Sequence, residues 1–548
     1  MTDGGERYWI AYNGEIYNFP EVRDELERRG RAFRTQSDTE VIIAAYDEWG
    51  AQCLDRFRGM FSFVLWDTRE KALFAARDLF GEKPFYYSLL ANGTLIVASE
   101  IRAIVASGLV DTALDLHSVD AFLAYGFVPP ERTIYGGVAS LPPAHRLEWR
   151  GGRVSVAAYW TPRWDERRIG MEEAAEELRS LTARAVKRQM IADVPVGAFL
   201  SGGLDSSTIV ALMQEQSAHP VKTFSVGFGT MINELPYASA VARRYGTEHH
   251  EIDLGDIDAA PLLLRMASVY DEPFADTSHI PTYLVARYAR DFVKVVLSGD
   301  GGDELFGGYG WNEPLRRSMS IGATARLQWI LLRTASVALR DRWRWLSDRS
   351  LAAGLVARWS DLWTRAKMVH TAIREPERRR LWADGAVESY EPVPYEPGLS
   401  VTGLNRSFDF DLRFYLPGDI LAKVDRAAMA SSLETRAPFL DRDVAEFALS
   451  LPAGLKVQDG QLKRVMRAAF SDLWPEEIRH RPKQGFGSPI QQWMRQPAVR
   501  DLLESAAAPG SRLRRLLPGL TPHDLGHENY ASWILLTLAV WLNVHEVL

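Results

Sequence analysis

Between residues 171 and 297 the sequence alternates apolar, β-rich runs with amphipathic helical ones, and few architectures accommodate that rhythm. Residues 171–190 read as a helix, 194–200 as a buried strand, 207–216 as a helix and 221–228 as a strand. A helix over 236–245, a strand over 250–254, a helix over 282–290 and a strand over 293–297 continue the pattern. Consecutive strands separated by helices predict a parallel, doubly wound sheet. From about residue 310 onward the chain reads as mainly helical, with Arg and Trp spread through amphipathic segments.

The first 158 residues follow a different rule. Residues 8–12 predict a strand that stops at Asn13-Gly14, a turn dipeptide. Residues 20–30 predict a helix with proline in its first turn and glycine past its end. Ser37 to Glu40 has capping-box spacing and opens a second helix that ends near Gly50. Two β-rich runs, 60–66 and 71–76, come next. Strands and helices mixed without regular alternation predict an α+β layer domain. The charged, Trp- and Pro-containing stretch 159–170 is the expected linker, giving domains over 1–158 and 171–548.

At 548 residues the chain exceeds what one hydrophobic core serves. Its net charge of -7 gives no general electrostatic reason to bind nucleic acid or an anionic membrane. The single cysteine, Cys53, excludes a disulfide framework and a cysteine metal cluster, and fits a reducing cytoplasm. The N-terminus lacks the basic and apolar regions of a signal peptide. The apolar run 533–542 is too short to span a bilayer and reads as a buried helix.

Chemistry concentrates in two loops. The strand at 194–200 runs into Ser201-Gly202-Gly203-Leu204-Asp205-Ser206-Ser207 and then a helix. Paired glycines permit close backbone approach, and the helix start offers free N–H groups to a phosphate. Hydroxyls add donors, and Asp205 suits the Mg²⁺ that accompanies pyrophosphate. No lysine lies in the loop, so it is not a Walker A sequence. The strand at 293–297 ends in Ser298-Gly299-Asp300-Gly301-Gly302-Asp303-Glu304. Three carboxylates on a glycine-rich strand end are costly unless they meet a cation or a charged substrate. In parallel sheets both loops fall at the strands' carboxyl ends, where ligands bind. The expected activity is ATP-dependent adenylation.

Together with Asn13-Gly-Glu-Ile-Tyr-Asn18, Ser37-Asp-Thr-Glu40, Arg77-Asp-Leu-Phe-Gly81, Lys423-Val-Asp-Arg426, Glu434-Thr-Arg-Ala-Pro-Phe-Leu-Asp441 and Lys483-Gln-Gly-Phe-Gly487, these loops carry a resemblance. Over nearly its whole length the chain resembles glutamine-dependent asparagine synthetases of the bacterial B type. The resemblance implies an N-terminal glutaminase domain, an αββα sandwich of the N-terminal-nucleophile type. It also implies a Rossmann-like, PP-loop ATP pyrophosphatase domain with a helical C-terminal part. The substrates implied are small molecules: aspartate, ATP and ammonia or glutamine. A homodimer is the candidate assembly.

By the same resemblance Leu200, Val226, Ser298 and Gly299 contact ATP. Ser201, Gly202, Gly203, Asp205, Ser206 and Ser207 take pyrophosphate and Mg²⁺, with Asp205 and Asp303 on the metal side. Asp300 serves acyl-adenylate formation, and Lys463 stabilises charge on the transferring phosphate and the later tetrahedral intermediate. Asp425, Glu434 and Arg436 shape the aspartate and tunnel region. Asn13 and Gly14 match an oxyanion hole, and Glu15 and Asp38 match residues that hold glutamine; Asp38 equally suits a helix first turn.

One departure stands out. The family's nucleophilic cysteine, its opening strands and its Arg-Gly-Pro-Asp-type loop have no counterpart in this sequence. Cys53 is expected to pack as a small buried hydrophobe. A start codon set too late is the favoured explanation, over an ammonia-dependent form without glutaminase. The chain as written is expected to use ammonia alone. Two other readings stand beside this one. The chain could be a related amidotransferase or cyclase of the same family acting on another carboxylate in secondary metabolism or cell-wall modification, its role carried by the divergent stretch 311–382, or it could be a catalytically inactive binding protein.

Overall fold

The computed structural model describes residues 1–229, 233–255, 257–319, 362–383, 387–392, 401, 403–481, 485 and 487–547. Most of the divergent stretch 311–382, together with Lys483, Gln484 and Phe486, lies outside them.

Strands β1 (Tyr8–Ile16), β2 (Gly59–Asp67), β3 (Ala72–Arg77), β7 (His145–Arg150) and β8 (Arg153–Ala158) form an antiparallel sheet in the order β1-β2-β3-β7-β8. A three-stranded sheet, β5-β4-β6, is made by β4 (Tyr86–Leu89), β5 (Leu95–Ala98) and β6 (Ala139–Ser140). Alternation along β2 sends Phe61, Phe63 and Leu65 toward helices Phe19–Arg28 and Asp38–Trp49. Val64 faces the other way, into the layer between the sheets, with Leu73, Phe85 and Leu147. Beyond the small sheet, Tyr86, Ile96 and Ala98 pack on the cluster that holds helices Ile101–Val105 and Leu116–Tyr125. The layering is therefore helix, sheet, sheet, helix.

Two local expectations change. The strand does not stop at Asn13-Gly14; β1 continues to Ile16, with Gly14 opposite Phe61. A Cβ on Gly14 would lie 2.1 Å from the Met60 carbonyl oxygen, so the glycine serves a close strand approach and not a turn. Ser37 does cap its helix, accepting from Thr39 N at 3.1 Å, but the capping box is not made. Glu40 instead accepts from Arg34 N and Thr35 N, which tie down the preceding loop.

The expected parallel sheet is present, in the order β11-β10-β9-β12-β13. It comprises β9 (Val196–Phe199), β10 (Lys222–Gly227), β11 (Glu248–Asp253), β12 (Val295–Leu297) and β13 (Glu434–Arg436), every neighbouring pair parallel. From β9 the chain builds outward through β10 and β11, then returns to the far side of β9 as β12. The strand order therefore reverses between β9 and β12, where an open sheet leaves a crevice at its carboxyl ends. Strand β13, only three residues long and polar, had no counterpart in the sequence reading.

Helix Leu204–Gln216 starts three residues earlier than expected, so Asp205, Ser206 and Ser207 lie in its first turn. Helix Tyr530–Val544 is buried along most of its length, as residues 533–542 suggested. No helix among the described residues is long and apolar enough to cross a membrane. Residues 159–170 form neither helix nor strand, yet they are pinned down. Trp160 Nε1 donates to Glu446 at 3.0 Å and Trp164 Nε1 to Asp409 at 2.7 Å.

Candidate active site

The loops after β9 and β12 meet at the switch point. Gly202, at φ 67°, lies against Tyr237, and a Cβ there would fall 2.5 Å from the Tyr237 Cβ. A Cβ on Gly299 would fall 2.7 Å from Asp205 Cβ, so a side chain at that position would drive the two loops apart. Ser201 Oγ and Ser206 Oγ are 3.0 Å apart across the first loop, and Gly203 N donates to Ser201 Oγ at 3.3 Å. In the second loop Ser298 Oγ donates to Asp300 Oδ2 at 2.7 Å.

A cavity of about 1270 Å³ opens over both loops. Leu200, Ser201, Gly202, Gly203, Asp205, Ser206, Val226, Ser298, Gly299, Asp300, Asp303 and Lys463 all line it. Ser207 does not. It faces the core, 1 % exposed, because a helix turns residue 207 about 100° away from Ser206.

Lys463 reaches the loops from a remote segment. Its Nζ is hydrogen-bonded to Asp205 Oδ2 and lies 2.5 Å from Asp303 Oδ1. The side chain is buried, and its backbone is left-handed at φ 53° at the start of helix Arg464–Phe470. Gly308 leaves the room: a Cβ there would overlap Asp303 Oδ1 and Lys463 Cε. The carboxylates of Asp205 and Asp303 thus converge on one point of positive charge. Among the described residues no three His, Cys, Asp or Glu side chains gather as a metal site. Two hard carboxylate donors are still a fitting protein share for Mg²⁺, which keeps waters and phosphate oxygens as its remaining ligands.

Burial pushes the Asp300 carboxyl above the usual range, against the Ser298 hydroxyl and the Lys423 ammonium that favour its charged form. Lys423 is drawn down by burial, but Asp276 and Asp419 outweigh this and raise it. Asp276, Asp419 and Lys423 line the same cavity, and none was singled out from the sequence. Lys423 belonged to a motif that carried the resemblance, whereas Asp276 and Asp419 had no pattern to mark them. Arg481 was also missed; it donates to Ser201 O at 3.0 Å and to Glu234 at 2.8 Å.

Asp425, Glu434 and Arg436 do not line the large cavity. Arg436 pairs with Glu434 at 2.7 Å and approaches Glu15 at 3.6 Å, while Asp425 pairs with Lys83 at 2.9 Å. A void of about 10 Å³ is lined by Asp425, Arg436, Ser298 and Asp300 together, and Ser298 N donates to Arg436 O at 2.8 Å.

In the N-terminal layers, Asn13 donates weakly to Ser99 Oγ at 3.4 Å. Glu15 is pushed up to about 7 by burial and by Asp38, against the pull of Arg436. Asp38 accepts from Tyr12 OH at 2.7 Å and from Ile16 N at 3.0 Å, which ties β1 to its helix. Cys53 is fully buried in the short 3₁₀ helix Gly50–Asp55. Burial, then Asp55, pushes its thiol up to about 12, so it is not a nucleophile.

The family model for asparagine synthase matches residues 177–543, and the glutamine amidotransferase domain model matches residues 1–160. The latter match begins at residue 1 and gives no support to the expected loss of leading strands. Asparagine synthetase [glutamine-hydrolyzing] 1 of Bacillus subtilis (strain 168) is 32% identical over 550 residues, covering 98% of this chain and 86% of the relative. A putative asparagine synthetase [glutamine-hydrolyzing] of Mycobacterium bovis is 34% identical over 572 residues, covering 98% and 84%. Matching both models along most of its length, and these relatives nearly end to end, the chain belongs to the asparagine synthase family.

Proposed function

We propose that this chain makes asparagine from aspartate, ATP and ammonia. The observation that carries the reading is the convergence of Asp205 and Asp303 on Lys463, beside the Ser201 loop in one cavity. A carboxylate resists ammonia until one oxygen becomes part of a leaving group. The β-carboxylate oxygen of aspartate attacks the α-phosphorus of ATP, and the bond to the β-phosphate oxygen breaks. Pyrophosphate leaves, and ammonia then attacks the acyl carbon. The C–O bond to AMP breaks, and the nitrogen sheds a proton. Backbone N–H groups at Gly203 to Ser206 and the Ser201 and Ser206 hydroxyls receive pyrophosphate. Asp205 and Asp303 would hold a Mg²⁺, which when bound would supply compensating charge to the phosphates. Lys463 offsets charge that develops on the transferring phosphate.

The same reading assigns residues 171–548 to an ATP pyrophosphatase of the PP-loop kind, with Leu200, Val226, Ser298 and Gly299 around the nucleotide. Residues 1–158 are its amidotransferase partner, with Asn13, Gly14, Glu15 and Asp38 facing glutamine. Cys53, the one cysteine of the sequence, is fully buried and packs as a small hydrophobe.

Aspartate-dependent ATP–pyrophosphate exchange, followed by asparagine formation with ammonium or with glutamine, tests this. Exchange and ammonium-dependent product are expected, and Cys53→Ala is expected to change neither. Exchange with another carboxylic acid but not aspartate would overturn the substrate. Product lost in Cys53→Ala would overturn the reading of Cys53 as a packing residue.

A further inference from the structure

One wall of the large cavity is unexplained by nucleotide chemistry. Asp276 precedes helix His279–Ala289, Asp419 lies in the π-helical segment Asp411–Leu421, and Lys423 lies in helix Ala422–Met429; all three line the cavity. Asp276 is well supplied with donors. Its Oδ1 accepts from Ser278 N and Ser278 Oγ, each at 2.6 Å, and its Oδ2 accepts from Lys423 Nζ at 3.0 Å. Asp419 is less well served. It is 6 % exposed, Tyr415 and Asp276 lie within hydrogen-bonding reach of its carboxyl, and its Oδ1 finds no hydrogen-bond donor among the described residues.

Charge makes the same point. Burial, then the neighbouring Asp276 carboxylate, pushes the Asp419 carboxyl well above its usual range. The ammonium at hand, Lys423, is already bonded to Asp276 and also feels Asp300. Asp419, buried, and Asp276 and Asp300, half-buried, therefore share one lysine, so a second cation beside Asp419 would favour its charged form. Asp411, at the start of the same segment, is different, because His370 lies 2.8 Å from it and Trp311 donates to it at 3.4 Å. The π-helical winding, with Pro417 inside it, is of a kind that recurs at functional sites.

An acid awaiting adenylation puts its reacting carboxylate beside Asp300 and the phosphate loop. Its remaining groups then face this wall. We propose that Asp419, with Asp276 beside it, receives the α-ammonium group of the amino acid and so selects an amino acid over a simple dicarboxylic acid. This rests on the aspartate reading above.

Succinate, which is aspartate without the amino group, is the discriminating probe. In ATP–pyrophosphate exchange the unaltered chain should prefer aspartate by roughly 100-fold or more in kcat/KM, since a site built for a polar group rejects the analogue lacking it. Asp419→Asn should lose at least about tenfold of that preference through the KM for aspartate, with the KM for ATP unmoved. Asp419→Glu, which restores the charge, should recover most of it. If Asp419→Asn does not fold, Asp419→Ser read the same way decides. Equal losses for aspartate and succinate, or an unchanged preference, would overturn the assignment and leave Asp419 a structural residue. Absence of aspartate exchange in the unaltered chain would instead overturn the aspartate reading, and the assignment with it.

Discussion

Lys463 shows what one residue contributes when its backbone and its charge are both unusual. A non-glycine residue at φ 53° costs about 1 kcal/mol, and such positions persist where the surroundings over-determine them. Here the left-handed turn aims a buried ammonium between two carboxylates from loops more than 150 residues away in sequence. Lys463→Ala is expected to lower kcat for ATP–pyrophosphate exchange by about 100-fold or more, with a smaller change in the KM for ATP. A loss confined to KM would show that the lysine only binds nucleotide. The glycines and carboxylates of the two loops were legible in the sequence because each loop is one contiguous strand-to-helix junction. Ser207 was over-assigned, since a loop motif does not say where the helix begins. Asp276 and Asp419 were illegible, because isolated aspartates gain meaning only from what they face.

At the scale of elements, local rules succeeded where a segment's structure depends on itself. The strands and helices read between 171 and 297 recur in the structure, although helix Ala259–Val269 had no counterpart in that reading. Strand β1 was cut short because Asn-Gly favours a turn in isolation, whereas pairing with β2 decides otherwise. The linker 159–170 is held by packing that its composition does not announce. Lys456, at the end of helix Ala453–Lys456, is fully buried with its Nζ 4.8 Å from the Trp164 ring centre and 5.2 Å from that of Phe408. Burial pulls its ammonium down to about 7, opposed by Glu166. Between about pH 7 and the ordinary lysine value of 10.5 the folded state therefore binds fewer protons than the unfolded chain. Stability rises with pH across that window. Lys456→Met is expected to stabilise the protein at pH 7 by roughly 2 kcal/mol and to flatten that rise, as read by chemical denaturation at several pH values. A destabilised Lys456→Met would mean that the cation–π contact outweighs the burial cost.

For the whole molecule, the two halves are joined by charge pairs, buried and half-buried, as well as by apolar packing. Lys83 meets Asp425 at 2.9 Å, Arg58 meets Asp443 at 3.0 Å, and Arg426 reaches Tyr86 OH and Ser99 O. Removing one partner of a buried pair strands the other charge. Lys83→Met should therefore cost about 3 kcal/mol in denaturant unfolding, and the Lys83→Met, Asp425→Leu double variant distinctly less. Additive losses would show that the pair is not coupled. Asp425 and Arg436, expected to shape the aspartate and tunnel region, meet Lys83 and Glu15 of the N-terminal half. Sequence blocks mark residues that matter without saying which neighbour they meet.

By itself the sequence determined the parallel sheet, the two strand-end loops and the family, since periodicity and contiguous motifs are written within short windows of chain. The tertiary structure alone decided the reversal of strand order that sets the loops side by side, the insertion of β13, and the meeting of Lys463 with Asp205 and Asp303. It also decided the gathering of Asp276, Asp419 and Lys423 on one wall of the cavity. Each of these joins residues distant along the chain, and burial and charge act through space, where sequence spacing carries no information.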